Sequence, residues 1–373
     1  MALSPNSIKI DLSSLGYNLN QVKKLIDPET KIMGIVKSDA YGHGLVEASR
    51  ALEGQGIHFL GVAHIQEALE LRRNGVRTPI AILCGIRPGE DSREIVEKEL
   101  IPAVFDFTTM ELLHREAERS GKKVRIHVKI DTGMGRLGIS PEEAVPFMQK
   151  IREYPGLHLE ALMSHLSSAE EPDRNFTLDQ IRKFQRAVDA GRSLGFELPL
   201  NHLANSAGIM SYKESHFEMV RPGIMLYGGL PSTDFHPPLR LKPVMSLRGE
   251  VMQVREMPDQ TPVSYGRRYY TKGPKKIAVV SAGYGDGYPR ILSNRGNVLI
   301  EGKRVPIVGT ICMNMFMCDI TGMEDVAAGN EVVLLGSQSD EVITADDLAG
   351  WSDTISYEIF CSVGQINTRE YIQ

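Results

Sequence analysis

Apolar and polar positions follow two rhythms along the first two-thirds of the chain. Short apolar, β-rich runs recur: KIMGIV, FLGVA, PIAIL, IPAVF, VRIHVKI, LHLEALM, PLNHLA and FEMVRPGIML. Between them lie segments of helical spacing. After Thr177, for example, Ile181, Phe184 and Val188 fall on one helix face. Thr108 with Glu111, Ser140 with Glu143 and Thr177 with Gln180 fit the capping box, in which a cap hydroxyl and a later side chain satisfy each other's free backbone N–H groups. Pro141 takes a first helical position, where its missing N–H costs nothing. Eight strands alternating with helices over roughly 230 residues predict an α/β fold with an N-terminal (β/α)8, TIM-like barrel.

The rhythm changes at LPSTDFHPPLRLKP, residues 230–243, a proline-rich connector. Beyond it the runs VMSLRGEVMQV, KIAVVSAG, RVPIVGTI and EVVLLG are closely punctuated by turn residues and predict a β-rich C-terminal domain. We place the barrel in residues 1–235 and the β-rich domain in 236–373. There is no internal repeat or low-complexity segment.

Composition narrows the class. The 373 residues exceed one ordinary core, and 42% hydrophobic with 24% charged residues is a soluble globular balance. The net charge of −5, without a basic stripe, argues against a nucleic-acid partner. No apolar run approaches the roughly 18 residues that span a bilayer, and MALSPNSIKIDL does not read as a signal peptide. Cys84, Cys312, Cys318 and Cys361 form no CxxC and read as reduced thiols of a cytoplasmic protein. Zinc spacing, HExxH and EF-hand patterns are absent, so no metal is expected.

Chemistry collects at the C-terminal ends of barrel strands. Here GIVK ends in Lys37, IHVKIDTGMGR carries Lys129, Asp131 and Arg136, ALMSH ends in His165, NHLANS offers His202, Asn205 and Ser206, and EMVRPGI presents Arg221 beside Gly223. Any one of these could be structural. Five strands ending this way point to one active-site mouth. A lysine there suits Schiff-base chemistry, because burial and cationic neighbours lower its pKa from about 10.4. After Lys37, the YGHG sequence adds two glycines that permit close backbone approach and a Tyr41 hydroxyl suited to a phosphate.

VKSDAYGHG resembles the pyridoxal-phosphate (PLP) signature of alanine racemases. KIDTGMGRLG, SHLSSA, NSAG, VRPGIMLYG, VSYGR, GYGDGYPR, GTICMN and SYEI resemble further landmarks of that family, in the family's order, over nearly the whole chain. The resemblance implies a PLP-dependent racemase that interconverts L-alanine and D-alanine by two-base proton transfer, supplying D-alanine for peptidoglycan. Lys37 would carry PLP and act as base on one face of the substrate Cα, with Tyr265 as base on the other. Tyr41, Ser206, Gly223, Ile224 and Tyr357 would hold the phosphate. Arg221, backed by His202, would face the pyridine nitrogen. Arg136 would bond the cofactor's phenolic oxygen and touch substrate, and His165 would lie near the cofactor. The Met313 backbone N–H would meet the substrate carboxylate, and Tyr284 and Tyr357 would line a narrow entrance. Lys129 matches a lysine that is often carbamylated. The resemblance also implies a head-to-tail homodimer with shared active sites.

Two positions depart from the family pattern: Asn314 stands where aspartate is usual, and Gly285 where alanine is more usual. GMGRLG, residues 133–138, matches GxGxxG, but a dinucleotide fold needs its helix to begin within the glycines, whereas Ser140 and Pro141 start the helix after them. His43 reads as a loop-packing residue, His127 and His158 as structural, Cys312 as a small buried hydrophobe, and Asp131 as either a local cap or a site residue. The alternative functions are a racemase of serine or of a broader set of small amino acids, and a PLP-binding protein without catalysis.

Overall fold

A computed structural model describes residues 6–87 and 89–373. The strands, in chain order, are β1 Ser7–Asp11, β2 Lys31–Ile35, β3 Phe59–Val62, β4 Ile80–Ile82, β5 Ile101–Val104, β6 Val124–Lys129, β7 Leu157–Met163, β8 Met219–Val220, β9 Met245–Met257, β10 Pro262–Val263, β11 Tyr269–Tyr270, β12 Lys275–Val280, β13 Asn297–Ile300, β14 Lys303–Val308, β15 Phe316–Asp319, β16 Glu331–Gln338, β17 Glu341–Ile343 and β18 Arg369–Ile372. The first six barrel runs, β2 to β7, form with β8 a parallel sheet in the order β7-β6-β5-β4-β3-β2-β8.

The PLNHLA run is not a full strand. It contributes single parallel bridges at His202, to Met163 of β7 and Met219 of β8, which close the ring. The Asn201 side chain explains the shortness: its Oδ1 accepts from Leu162 N–H at 2.9 Å, a bond that a longer ladder would supply from backbone. FEMVRPGIML yields only β8, because Pro222 has no N–H to donate and the chain then turns into the 3-10 helix Ile224–Tyr227.

Two of the expected caps fall elsewhere. The helix Phe107–Ser120 is capped by Asp106, whose carboxylate accepts from Thr109 N–H, rather than by Thr108. Thr177 lies inside the helix Asn175–Ser193 and is buried, and Gln180 instead bonds Ser167 and His165. Ser140 and Glu143 do form a capping box, around Pro141–Glu143.

The second sheet closes on itself through antiparallel pairs, with β18 alone added parallel, to β1: β9 pairs with β12, and β12-β15-β14-β13-β16 returns to β9. β1 and β18 extend it beyond β9. The chain therefore opens in the second sheet, through Ile8 and Ile10, which are fully buried. Residues 230–243 form no regular element. Among the described residues, no helix is long and apolar enough to cross a membrane.

Candidate active site

The polar strand ends converge on a cavity of about 210 Å³ at the C-terminal mouth of the barrel. Lys37 and Tyr41 enter from beyond β2, Lys129 and Arg136 from β6 and its loop, and His165 from beyond β7. Asn205, Ser206, Arg221, Gly223 and Ile224 line the side nearest β8, and Tyr357 reaches in from the helix Ser356–Ile366. Burial lowers the Lys37 pKa, and Arg136 and Arg221 add to the effect. Leu83 and Cys84 also line the cavity; nothing in their local sequence marked them.

The segment after Lys37 is a left-handed helical turn. Ser38, Asp39, Ala40 and Tyr41 all have φ between 53° and 56°. Each such residue costs roughly 1–2 kcal/mol, because its Cβ crowds the following carbonyl. Tertiary contacts hold the turn. The Glu67 carboxylate accepts from Ser38 N–H at 2.6 Å and from Ala63 N–H at 2.8 Å. Buried His43 sits with Nδ1 3.1 and 3.0 Å from the carbonyls of Ala40 and Tyr41. Asp39 accepts from Leu45 N–H at 2.7 Å and pairs with Arg369 of β18. The two glycines of YGHG serve the protein's own close packing. A Cβ on Gly42 would lie 2.3 Å from the Phe360 carbonyl, and one on Gly44 would strike the Tyr371 hydroxyl. The close backbone approach that the two glycines permit is taken up by the C-terminal helix and strand.

Ser206 Oγ accepts from Gly223 N–H at 3.0 Å, and a Cβ on Gly223 would sit 2.5 Å from the Tyr41 hydroxyl, so these groups share one corner of the cavity. Asp131 organises the glycine loop. Its carboxylate accepts from the N–H groups of Gly133, Met134, Gly135 and Arg136. Burial alone would raise its pKa, but these bonds hold it below the usual carboxylate range. The local reading of Asp131 is therefore the right one, and the GxGxxG amides are satisfied by an anion from the protein itself.

Arg221 is buried, with both Nη1 and Nη2 bonded. It bonds His202 Nδ1 at 2.6 Å, the Ser164 and Leu203 carbonyls at 2.5 and 3.0 Å, and His165 Nδ1 at 3.2 Å. Burial pushes its pKa down to about 9, so it stays a cation at neutral pH. Burial and the neighbouring cations Arg221 and Lys37 push His165 well below the usual histidine range. The Lys129 amine donates to the Leu83 carbonyl at 3.1 Å, and burial together with Arg221 and Arg136 brings its pKa down to about 8.

Tyr265, Tyr284 and Met313 are not among the residues that line this cavity. Tyr265 is 71% and Met313 56% exposed, on the second domain. Tyr284 borders a separate groove beside the C-terminal helix. Gly285 N–H donates to the Met313 carbonyl at 2.7 Å, and a Cβ at Gly285 would come within 2.9 Å of that oxygen. An alanine there would push the Tyr284 and Met313 loops apart by a few tenths of an ångström. Cys312 is half-buried, not fully buried as expected, with Sγ near Ser264 and the Thr310 carbonyl. His158 is exposed on β7, whereas His127 is buried beneath the site.

Comparison with known proteins matches residues 10–231 to the alanine racemase N-terminal domain and residues 244–371 to the alanine racemase C-terminal domain. An alanine racemase of Halothermothrix orenii is 43% identical over 98% of this chain and 97% of its own length. One of Geobacter sulfurreducens is 41% identical over 99% and 97%. The crystal structure of alanine racemase from Streptomyces lavendulae superposes with a TM-score of 0.94 at 33% identity, covering 99% of this chain and 97% of that one. A Bartonella henselae alanine racemase with covalently bound pyridoxal phosphate superposes with a TM-score of 0.87 at 30% identity, covering 98% and 99%. With both family models matched in order and relatives aligned end to end, this chain belongs to the alanine racemase family.

Proposed function

We propose that the chain racemises alanine, interconverting its L and D forms with PLP carried on Lys37. The observation that carries this reading is a half-buried lysine of lowered pKa at a barrel mouth, sharing one cavity with Arg136 and Arg221, in a chain of this family. The residues fit the cofactor. The Tyr41 and Ser206 hydroxyls and the backbone at Gly223 and Ile224 gather where a phosphate would bind, with Tyr357 beside them. Lys37 and Arg136 suit the aldehyde and phenolic oxygen, and Arg221 suits the ring nitrogen. When bound, PLP supplies the electron withdrawal that acidifies the substrate Cα–H.

The chain's own groups then divide the work. Lys37 Nζ, unprotonated, takes or returns the proton on one face of Cα. Tyr265 Oη does the same on the other face, so the substrate need not turn over. Arg221 donates a hydrogen bond to the ring nitrogen and keeps its proton, which leaves the ring a weaker electron sink and limits transamination. Arg136 orients the cofactor and touches substrate, backed by Lys129 in carbamylated form. The partner subunit's Met313 N–H holds the substrate carboxylate, and Tyr357, with the partner subunit's Tyr284 across from it, narrows the entrance against larger side chains.

Tyr265 and Met313 lie exposed and outside the Lys37 cavity of their own chain, which supports a head-to-tail homodimer. Each cavity, at the barrel mouth, is completed by the partner subunit's Tyr265 and the partner subunit's Met313, from the β-rich domain. Four free cysteines suit a cytoplasmic enzyme making D-alanine for peptidoglycan.

Chiral product analysis with alanine, serine, lysine and arginine tests the reading. Alanine should be racemised fastest, and Lys37→Ala should abolish both that activity and PLP's visible absorbance. Faster turnover of serine would move the assignment to the broader racemase. PLP bound without turnover of any substrate would favour the non-catalytic alternative.

A further inference from the structure

A column of polar side chains runs through the barrel interior below Arg221. Arg221 Nη1 lies 2.6 Å from His202 Nδ1, His202 Nε2 lies 3.0 Å from His127 Nδ1, and His127 Nε2 lies 3.1 Å from Glu160 Oε2. At the far end Arg125 bonds Glu160 Oε1 at 3.2 Å. His127, His202, Arg221 and Glu160 are all buried. Barrel interiors are ordinarily packed with branched apolar residues, so a polar column here is costly unless every bond is made.

Strand geometry builds the column. Arg125, His127 and Lys129 alternate along β6 and share one face. The β6–β7 register runs Ile126 to Leu159 and then His127 to Ala161, which skips Glu160. Such a bulge re-aims the extra residue's side chain, and Glu160 reaches both Arg125 and His127.

The proton positions in this column follow from its two ends. A guanidinium only donates, so His202 Nδ1 must accept from Arg221. The His202 proton is then on Nε2 and is given to His127 Nδ1. The His127 proton is in turn on Nε2 and is given to Glu160. Burial lowers the pKa of both histidines, consistent with neutral rings. Burial alone would raise Glu160, but hydrogen bonds from His127 and Arg125 and the Arg125 charge hold it below the usual carboxylate range.

We propose that Glu160 is a positioning residue for racemisation: through His127 and His202 it fixes the ring tautomers that hold Arg221 as an oriented, fully protonated donor toward the cofactor's ring nitrogen. The role at that nitrogen rests on the PLP reading above; the tautomers do not.

The test is ring-nitrogen NMR of the full-length protein labelled with 15N-histidine, read alongside kinetics. In the wild type, His127 and His202 should both be neutral and protonated at Nε2. A protonated His202 Nδ1 or a His127 imidazolium would overturn the proposal without any variant. In Glu160→Gln, Arg125 should hold the amide oxygen, so the amide NH2 faces His127. The His127 proton should move to Nδ1, and the column should then oppose Arg221. Racemisation kcat should fall on the order of 10–100-fold, the range set by carboxylate partners of metal-bound histidines, while the share of transamination rises. Adding Arg125→Leu frees the amide to turn its oxygen toward His127, and the wild-type tautomers and product ratio should return. Unchanged histidine shifts or product ratio in Glu160→Gln would overturn the proposal. If instead the wild type neither binds PLP nor racemises alanine, the functional reading fails, and the tautomer measurement is judged by itself.

Discussion

Asp39, in the left-handed turn that follows Lys37, forms an ion pair with Arg369 of the last strand. Arg369 also donates to the Gly364 carbonyl at 2.6 Å. The final strand of the β-rich domain thereby clasps, at Asp39, a turn of four residues with left-handed φ values that presents the lysine. A turn this strained persists only where its surroundings over-determine it.

Arg369→Ala should therefore loosen the turn. We expect a loss of about 1–2 kcal/mol in urea unfolding, the scale of a partly exposed, charge-assisted hydrogen bond, and weaker PLP binding in a spectroscopic titration. Arg369→Lys, which keeps the charge but not the guanidinium fork, should fall between. Equal PLP affinity in all three proteins would show that the clasp does not serve the site.

Lys129 should take up carbon dioxide. A carbamate forms from the neutral amine, and with a pKa of about 8 a large fraction of Lys129 is neutral near that pH. Reversing its sign beside Arg136 and Arg221 also replaces repulsion with charge-assisted bonding. Protein incubated with 13C-bicarbonate at pH 8 should show a carbamate carbon that is missing from Lys129→Ala. Acetate should restore part of that variant's lost activity. No carbamate signal in the wild type would remove the modification from the mechanism.

Stability should fall as the pH drops below about 6.5. His43, His165 and His202 are held neutral chiefly by burial, His43 with its pKa lowered to about 3. Unfolded histidines bind protons near pH 6.5; the native ones do not until much lower. Between those values the unfolded state gains protons that the native state lacks, and each such histidine costs about 1.4 kcal/mol per pH unit. Above pH 6.5 these groups contribute no slope. His43→Asn should be shallower by about that amount between pH 6 and 4 in urea titrations, whatever its absolute stability. An unchanged slope would mean that His43 is protonated in the native protein.

Subunit mixing tests the shared site. Lys37→Ala and Tyr265→Ala should each be inactive alone. After exchange, about half the dimers are mixed, and each mixed dimer holds one intact site, so about a quarter of wild-type activity should return. If exchange is demonstrated with two tags and the mixture stays inactive, both bases come from one chain.

Much of the architecture was legible before any coordinates. The apolar runs of the barrel, the proline-rich connector and the β-rich end are local patterns, and local patterns survive in sequence. The reactive residue types at strand ends were also legible, since alternation along a strand and its C-terminal end place them without knowledge of distant contacts. Sequence and structure part where a distant or competing group decided. Thr108 lost the cap to Asp106, two residues earlier in the chain, and Gln180 was taken by the His165 loop 15 residues away. β1 was missed because five residues alone do not announce a sheet that is completed only by β9 and β18.

By itself, the sequence determined which elements form and which chemical groups the barrel mouth can draw upon. Periodicity, caps and motif order are properties of neighbouring residues, and they bring a lysine, two arginines, a tyrosine and a serine to the strand ends. Only the tertiary structure decided how those groups are held. The left-handed turn is unfavourable for every residue in it, and it exists because Glu67, His43 and an arginine 330 positions away bond it in place. The column beneath Arg221 draws on β6, β7 and the His202 segment, and a single bulge brings Glu160 into it. Such arrangements are set by hydrogen bonds between residues far apart in the chain, whose energies depend on distance and burial, and neither quantity can be read along a sequence.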